Sequence, residues 1–312
     1  MIDHSNCTNA PSEIPSDAGV AGAGVLLSFI ATAFLALILS TWIVLTELRR
    51  SSPARITRKL LLSFSDQQII TGIGIQSIAL AKMESMVPYH FFLVWMLSSI
   101  STATHSAALL ALFNDFKRDW VLRWLRQFLM FVNLMLSIVM GILVLENVVK
   151  KLDQTLPIAC VWHDPETGKR SDVVLSVVGT IALMVGNAAI FVMAVWYLHS
   201  GTQKWLMVVR AVALLFLAAI GIGAAVRIII LSQAFGHPSV KLSDDGEKVW
   251  SFGQLLPLLL LLLPLVSVVE IFRGEMRVPV PLDDEQRPLY EMDHEFQPNP
   301  LWGSRTRLAG MK

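Results

Sequence analysis

Apolar residues fall in long blocks along this chain, and the blocks have the length of a bilayer. A helix that crosses the hydrocarbon core needs about 20 mostly apolar residues. Seven segments meet this requirement, at 20–45, 60–81, 91–113, 128–148, 173–198, 206–235 and 252–272. Pro257 and Pro264 predict a kink in the seventh. The pattern predicts an all-α membrane protein with a short segment 1–19, a seven-helix domain 20–272 and a tail 273–312.

The composition supports a membrane environment and excludes several classes of function. Of the 312 residues, 54% are hydrophobic and 16% are charged, whereas soluble domains carry about 25% charged residues. The net charge of +1 is too balanced to indicate a nucleic-acid partner. No nucleotide-binding loop, zinc-ligand spacing or GxSxG motif is present. The lipid bilayer is therefore the predicted partner, protein partners stay open, and neither a cofactor nor a metal is predicted.

Lysine and arginine are distributed unequally between the two sets of loops. The first, third and fifth loops and the tail hold 16 of the 25, and the opposite side holds 7. The other two, Arg210 and Arg227, lie within the predicted sixth span. Since cytoplasmic loops carry the excess of positive charge, we predict an exoplasmic N-terminus and a cytosolic C-terminus. The chain would then be a multi-pass protein of the endoplasmic reticulum or plasma membrane. The tail, rich in proline and charge, is predicted to be disordered.

Two features at the N-terminus agree with this orientation. Asn6-Cys7-Thr8 is a glycosylation sequon, with Asn6 as its acceptor, on the predicted exoplasmic side. The chain has two cysteines, Cys7 and Cys160, and both fall on that side, where disulfides persist. The sequence leaves open whether they form a disulfide or two separate thiols.

Asp66 and His105 are the most informative polar residues because they lie inside consecutive predicted spans. Ionisable groups in hydrocarbon are costly unless partnered, and they commonly mark functional sites. At 1.5 Å per residue, Asp66 lies about 9 Å and His105 about 12 Å inside the cytosolic boundary, so the two can meet. The pair is a candidate proton relay. The alternative is a hydrogen bond that joins two helices, worth about 0.6 kcal/mol.

Other polar residues extend this candidate site or form a second one. Gln67 and Thr71 on the second span and Thr102 on the third share faces with the pair and are candidate substrate-binding residues. Glu146 and Arg227 lie at similar depth in the predicted exoplasmic half and form the second-choice catalytic pair. Salt bridging or snorkelling to the membrane surface would explain them equally well.

Several motifs stand out in the first half of the chain, roughly residues 17–115. They are Asp17-Ala18-Gly19-Val20-Ala21-Gly22, Phe64-Ser65-Asp66-Gln67-Gln68 with Gly72, and Tyr89-His90 followed by Trp95, Ser98-Ser99, Thr104-His105 and Leu109. Together they resemble a group of seven-span membrane proteins of filamentous fungi. Some similar fungal proteins are encoded in specialised-metabolite clusters. The resemblance therefore implies a part in specialised metabolism.

The sequence leaves four functions open. The first is an enzyme, a cyclase or isomerase, or an accessory factor that acts on a lipophilic, isoprenoid-like molecule by intramembrane acid–base chemistry. Trp95 could then face a carbocation, although packing explains it as well. The second is a seven-helix receptor or sensor outside the rhodopsin-like class, because the usual triplet after the third span is missing. A transporter and a scaffolding protein are the remaining alternatives.

Overall fold

The computed structural model describes residues 7, 9–49, 55–118, 120–162, 173–199 and 204–273. The named elements in this part of the chain are helices, so the predicted all-helical architecture is confirmed there. They are α1 (Ala18–Ala21), α2 (Ala23–Leu48), α3 (Arg55–Ala81), α4 (Pro88–Ala111), α5 (Phe113–Arg118), α6 (Trp120–Lys150), α7 (Val173–His199), α8 (Lys204–Leu231), α9 (Phe252–Leu260) and α10 (Leu263–Phe272), with a 3₁₀ helix at Ile158–Trp162.

Five helical segments are long and apolar enough to cross a membrane. They are Ala18–Leu48, Pro88–Ala111, Arg123–Lys150, Val174–Trp196 and Val208–Leu231. The other two predicted spans correspond to α3, which is richer in polar residues, and to α9 with α10. Large apolar side chains such as Phe34, Leu215 and Phe252 are more than half exposed on the outer surface. Such a surface fits contact with lipid rather than with water.

The predicted span boundaries differ from the observed ones where the backbone is interrupted. The first span is divided at Gly22, which is extended between α1 and α2 and where a side chain would overlap Gln254. The sixth ends at Leu231 instead of 235, because amides of the following turn bond carbonyls of the last turn of α8. The seventh is two helices, since the proline at 264 has no amide to continue the α9 ladder.

Helix α4 forms the centre of the bundle. It packs against α2, α3, α6, α7 and α8, and all but one of its residues are buried. Small side chains let neighbouring helices approach closely, and α4 is rich in serine, threonine and alanine between 98 and 108. Its position explains why Thr102 and His105, two of the polar residues predicted to be functional, lie in the core.

The two ends of the bundle are closed by different chemistry. At one end, Cys7 and Cys160 form a disulfide, which ties the N-terminal segment to the 3₁₀ helix; we call this the disulfide end. At the other, Arg58, Arg126 and Arg210 form ion pairs with acidic residues; we call this the arginine end. Asn6, the loop residues 163–172 and the tail residues 274–312 lie outside the described residues.

Candidate functional site

A belt of polar side chains joins α4 to α6 and α3 in the core. Ser98 and Ser137 are hydrogen-bonded through their hydroxyls at 2.8 Å. One turn along, the Asn133 amide donates to the Thr102 hydroxyl at 3.1 Å. The Gln76 amide donates to Asn133 Oδ1 at 2.8 Å. These hydrogen bonds link α3, α4 and α6, so this belt holds three helices together, although Gln76 Oε1 is left without a partner.

The same belt continues between α4, α3 and α2. Ser101 Oγ donates to the Gln68 carbonyl at 2.7 Å, and Gln68 Nε2 donates to the Phe29 carbonyl at 3.1 Å. Gly72 permits this approach, because a side chain there would overlap the Ser101 hydroxyl and Asn133 Oδ1. The glycine is therefore required by packing.

The structure shows no hydrogen bond between Asp66 and His105, so it does not support the predicted relay. Both Asp66 oxygens bind Arg126, Oδ1 to Nε at 2.8 Å and Oδ2 to Nη2 at 2.9 Å. His105 is fully buried, and neither of its ring nitrogens has a hydrogen-bond partner. The bidentate guanidinium is the stronger partner for a carboxylate. Asp66 and Arg126 therefore form an ion pair that links α3 to α6.

The predicted substrate-binding residues have separate local roles. The Thr71 hydroxyl donates to the Gln67 carbonyl of its own helix at 2.8 Å. The Thr102 hydroxyl donates to the Ser98 carbonyl at 2.9 Å in addition to its bond from Asn133. Gln67 Oε1 is buried and has no hydrogen-bond partner. The two hydroxyls are thus engaged within the protein.

The second-choice pair, Glu146 and Arg227, is not formed either. Glu146 lies 3.5 Å from Lys150, one turn along the same helix, and this neighbour supplies its counter-charge. Arg227 is exposed and lines a cavity. No acidic partner for Arg227 occurs in the described part of the chain.

That cavity lies between α4, α7 and α8 and has a volume of about 380 Å³. Small-molecule sites are typically apolar clefts of about 300–1,000 Å³ with few polar groups. The lining residues are Trp95, Met96, Gly179, Thr180, Leu183, Phe216, Ala219, Ile220, Gly223, Ala224 and Arg227. None of them is a carboxylate or an imidazole, so their side chains suit the binding of an apolar molecule rather than proton transfer.

Two glycines line the cavity, Gly179 of α7 and Gly223 of α8. A Cβ atom built at either position would meet nothing within 4 Å, so the lining is open where these residues lie. The Thr180 hydroxyl donates to the Ser176 carbonyl of its own helix at 2.8 Å, and Arg227 is the charged group of the lining. The sequence shows the glycines but not that both line one cavity.

A buried acid at the disulfide end was not predicted from the sequence. Glu247 Oε2 accepts from the Tyr89 hydroxyl at 2.9 Å, and Glu247 Oε1 lies 2.8 Å from His90 Nε2. The Tyr89 oxygen in turn accepts a hydrogen bond from the backbone N–H of Gln233 at 2.8 Å. The Glu247 carbonyl accepts from Ala23 at the start of α2. This cluster joins the ends of α2, α4 and α8. In the sequence, the only indication of it is the adjacent Tyr89 and His90 just before the third predicted span.

Three arginines from three helices converge on the short helix α5. Arg58 of α3 binds Asp115 at 3.1 Å. The guanidinium of Arg126 of α6 lies 5.8 Å from the ring centre of Phe116, and that of Arg210 of α8 lies 5.0 Å from that of Phe113. Arginine stacks favourably on aromatic faces. Helix α5 therefore connects the ends of α3, α6 and α8 to α4.

Arg210 is the most enclosed of these three arginines. Its side chain is 2% exposed, with Nη1 2.6 Å from Glu47 Oε2, and Nη2 donates to the Ala111 carbonyl at 3.0 Å. It fastens α8 to α2 and to the last turn of α4.

Three comparisons found no match for the chain: no protein-family model, no curated protein and no solved structure is significantly similar to it. The cavity, the buried polar clusters and the two closed ends are the structural features that bear on its function.

Proposed function

We propose that this protein is a seven-span membrane sensor that binds a lipophilic small molecule between its helices. The cavity between α4, α7 and α8 carries the proposal, because its lining is apolar apart from Thr180 and Arg227 and contains no acid–base pair. A site of this composition favours binding over intramembrane acid–base catalysis.

The connection between the cavity and the arginine end supports a response to the ligand. Helices α4 and α8 both line the cavity. At their other ends, α8 contributes Arg210, which bonds the Ala111 carbonyl of α4 and stacks on Phe113. A ligand that favours one packing of α4 against α8 would shift the arrangement of this ion-pair cluster, since differential binding shifts populations. The arginine end would face the cytosol and transmit the change.

The proposed topology places the disulfide end outside the cytosol. The disulfide, the sequon at Asn6 and the excess of lysine and arginine on the opposite loops support it. In sealed microsomes, a C-terminal epitope should be degraded by added protease while a glycan at Asn6 is protected. An Asn6→Gln variant should lose the glycan, and protection of the C-terminal epitope would contradict the orientation.

Photolabelling tests the binding site directly. The purified protein in nanodiscs is irradiated with a diazirine-bearing oleyl alcohol, with or without excess unlabelled oleyl alcohol. Competed label should map to peptides of α4, α7 and α8 that include Trp95, Gly179 and Gly223. Label that resists competition, or competed label on the outer faces of α2 and α6 alone, would contradict the proposal.

An intramembrane enzyme or accessory factor of fungal specialised metabolism is the second candidate. The observation that favours it is the fully buried His105 imidazole, which has no hydrogen-bond partner and could exchange a proton with a lipophilic substrate. Metabolites of the source organism would be compared after gene deletion and rescue. Rescue by wild type and by Asp66→Asn but not by His105→Phe, with a linear precursor accumulating, would favour this function. Equal rescue by the two variants would exclude a His105-dependent reaction.

A further inference from the structure

We propose that the cavity selects a lipophilic anion, an apolar chain that ends in a carboxylate or phosphate, and that Arg227 binds the acidic group. This inference rests on the proposed binding function and names the class of ligand. It follows from the position of Arg227 along the cavity wall, from the lack of an acidic partner among the described residues and from the shape of the remaining lining.

The first step is the position of Arg227 on α8. Phe216, Ile220, Gly223 and Arg227 recur at three- and four-residue spacing and line the cavity, as residues on one helix face do. Phe216 and Arg227 are therefore about 16 Å apart along the helix axis. Arg227 lies about 6 Å from the end of α8 at Leu231. The cavity wall is thus apolar at depth and cationic near the disulfide end, which is the polarity of an amphipathic molecule.

Arg227 also lacks a counter-charge among the described residues. Arg126 and Arg210 each bind a carboxylate at 2.6–2.9 Å. Arg227 has no such acid among the described residues, and its nearest candidate by depth, Glu146, is taken by Lys150. A cation in an apolar wall is costly without a partner. A guanidinium binds carboxylate and phosphate oxygens with two parallel hydrogen bonds, so an acidic ligand would supply the counter-charge that the described residues do not.

The third step is the shape of the apolar part. Phe216 supplies a broad aromatic surface, whereas Trp95 also lines the cavity but is only 2% exposed. Gly179 and Gly223 leave open space along the lining. The cavity volume of about 380 Å³ is at the lower end of small-molecule sites. These features suit one hydrocarbon chain or a compact isoprenoid better than the two chains of a phospholipid.

Competition against the photolabel tests the ligand class. Unlabelled oleate and oleyl alcohol share one chain and differ in the headgroup. On wild type, oleate should displace half of the label at a concentration at least about ten-fold lower than oleyl alcohol requires. A hydrogen bond to a charged group strengthens binding by roughly that factor or more. The preference should vanish in Arg227→Gln and be reduced but retained in Arg227→Lys, which keeps the charge without the two parallel bonds.

A matched charge control separates this site from general attraction of anions. Lys248 is another exposed cation of the disulfide end, and it lies outside the cavity lining. Lys248→Gln should leave the oleate preference unchanged. Equal displacement by oleate and oleyl alcohol on wild type, a preference that survives Arg227→Gln, or a preference that Lys248→Gln also removes would each overturn the inference.

Two further arms identify the source of the anion and separate the two proposals. Oleoyl lysophosphatidate tests a phosphate on one chain, and dioleoyl phosphatidylglycerol tests a bulk membrane lipid. Displacement by the single-chain anions but not by the phospholipid would identify a soluble or metabolic lipophilic acid; displacement by all three would identify membrane lipid and would support the same headgroup chemistry. If no compound displaces label from wild type, the proposed binding function fails as a whole. If all compounds displace it equally, binding stands and the anion assignment fails.

Discussion

Two arginines on the same helix have opposite surroundings. Arg210, at the arginine end of α8, is 2% exposed and is held by Glu47, the Ala111 carbonyl and the ring of Phe113. Arg227, close to the disulfide end of α8, is exposed beside an apolar cavity and has no acidic partner in the described residues. The residue type is the same, so its surroundings determine its role: the first arginine is held within the bundle, and the second is the arginine to which we assign the proposed ligand.

The same contrast separates the two ends of the molecule. The arginine end is closed by ion pairs that connect α5 to α3, α6 and α8. The disulfide end is closed by a covalent bond and by the buried Glu247 cluster, yet none of its described residues gives Arg227 an acidic partner. A charged group that the protein satisfies internally is evidence for stability, and one that it leaves unsatisfied near a cavity is evidence for a binding site.

The two arginines should differ most in what their removal costs in unfolding free energy. Arg210→Ala leaves the Glu47 carboxylate and the Ala111 carbonyl without their partner, and breaking a buried pair costs about 3–5 kcal/mol. Arg227→Ala removes an exposed group and should cost less than about 0.5 kcal/mol. Chemical unfolding in detergent micelles measures both. Similar losses of unfolding free energy would contradict the distinction between them.

The Glu247 cluster should be the most sensitive part of the disulfide end. Glu247→Gln replaces a carboxylate that binds Tyr89 and His90 with a neutral amide, and hydrogen bonds to charged groups contribute about 1.5–3 kcal/mol. The free energy of unfolding should fall by about that amount. Lys248→Gln, at the neighbouring exposed position, is the control and should change it little. An unchanged stability in Glu247→Gln would show that this acid does not hold the end closed.

The Asp66–Arg126 pair should have a smaller effect because its carboxylate is 37% exposed. Asp66→Asn should lower the free energy of unfolding by about 0.5–1 kcal/mol. It should leave competed photolabelling unchanged, since Asp66 does not line the cavity. The exchange Asp66→Arg with Arg126→Asp should recover part of the loss. A loss of competed labelling in Asp66→Asn would show that this carboxylate takes part in ligand binding.

The smallest expected effect is a pH dependence at the disulfide end. Hydrogen bonds from the Ser16 side chain and the Gly246 amide lower the pKa of Asp244. A carboxyl with a lowered folded pKa stabilises the fold above its unfolded pKa, about 4, and that contribution is lost as the pH falls through the folded pKa. Thermal unfolding of wild type and Asp244→Asn should therefore differ at neutral pH and converge in acid. A constant difference would contradict this role.

Much of the helical framework could be predicted from the chain. The apolar blocks are long enough to specify helices, and the small residues of α4 indicate close packing. The cysteines could be assigned to one side, although their pairing stayed open until the structure joined them. Span ends were less predictable, because the turn after Leu231 and the break between α9 and α10 depend on local hydrogen bonds and on proline.

The candidate site was less predictable because depth does not give the direction of a side chain. Asp66 and His105 have similar calculated depths, but the partner of Asp66 is Arg126. Arg126 precedes the predicted fourth span, 128–148, whereas α6 begins at Trp120. Glu247 lies between the predicted sixth and seventh spans, and it is buried because the ends of α2, α4 and α8 meet around it. Gly179 and Gly223 line one cavity, which a one-dimensional pattern does not show.

The most direct test of the binding site is competed photolabelling of two matched glycine variants. Gly223→Leu places a side chain in the cavity, and Gly74→Leu makes the same change at an exposed, equally open position of α3. With the diazirine-bearing oleyl alcohol, we predict that Gly223→Leu loses at least nine-tenths of the competed label (about 1.4 kcal/mol or more of binding free energy) and that Gly74→Leu retains the wild-type amount. Equal labelling of the two variants would contradict a binding site between α4, α7 and α8.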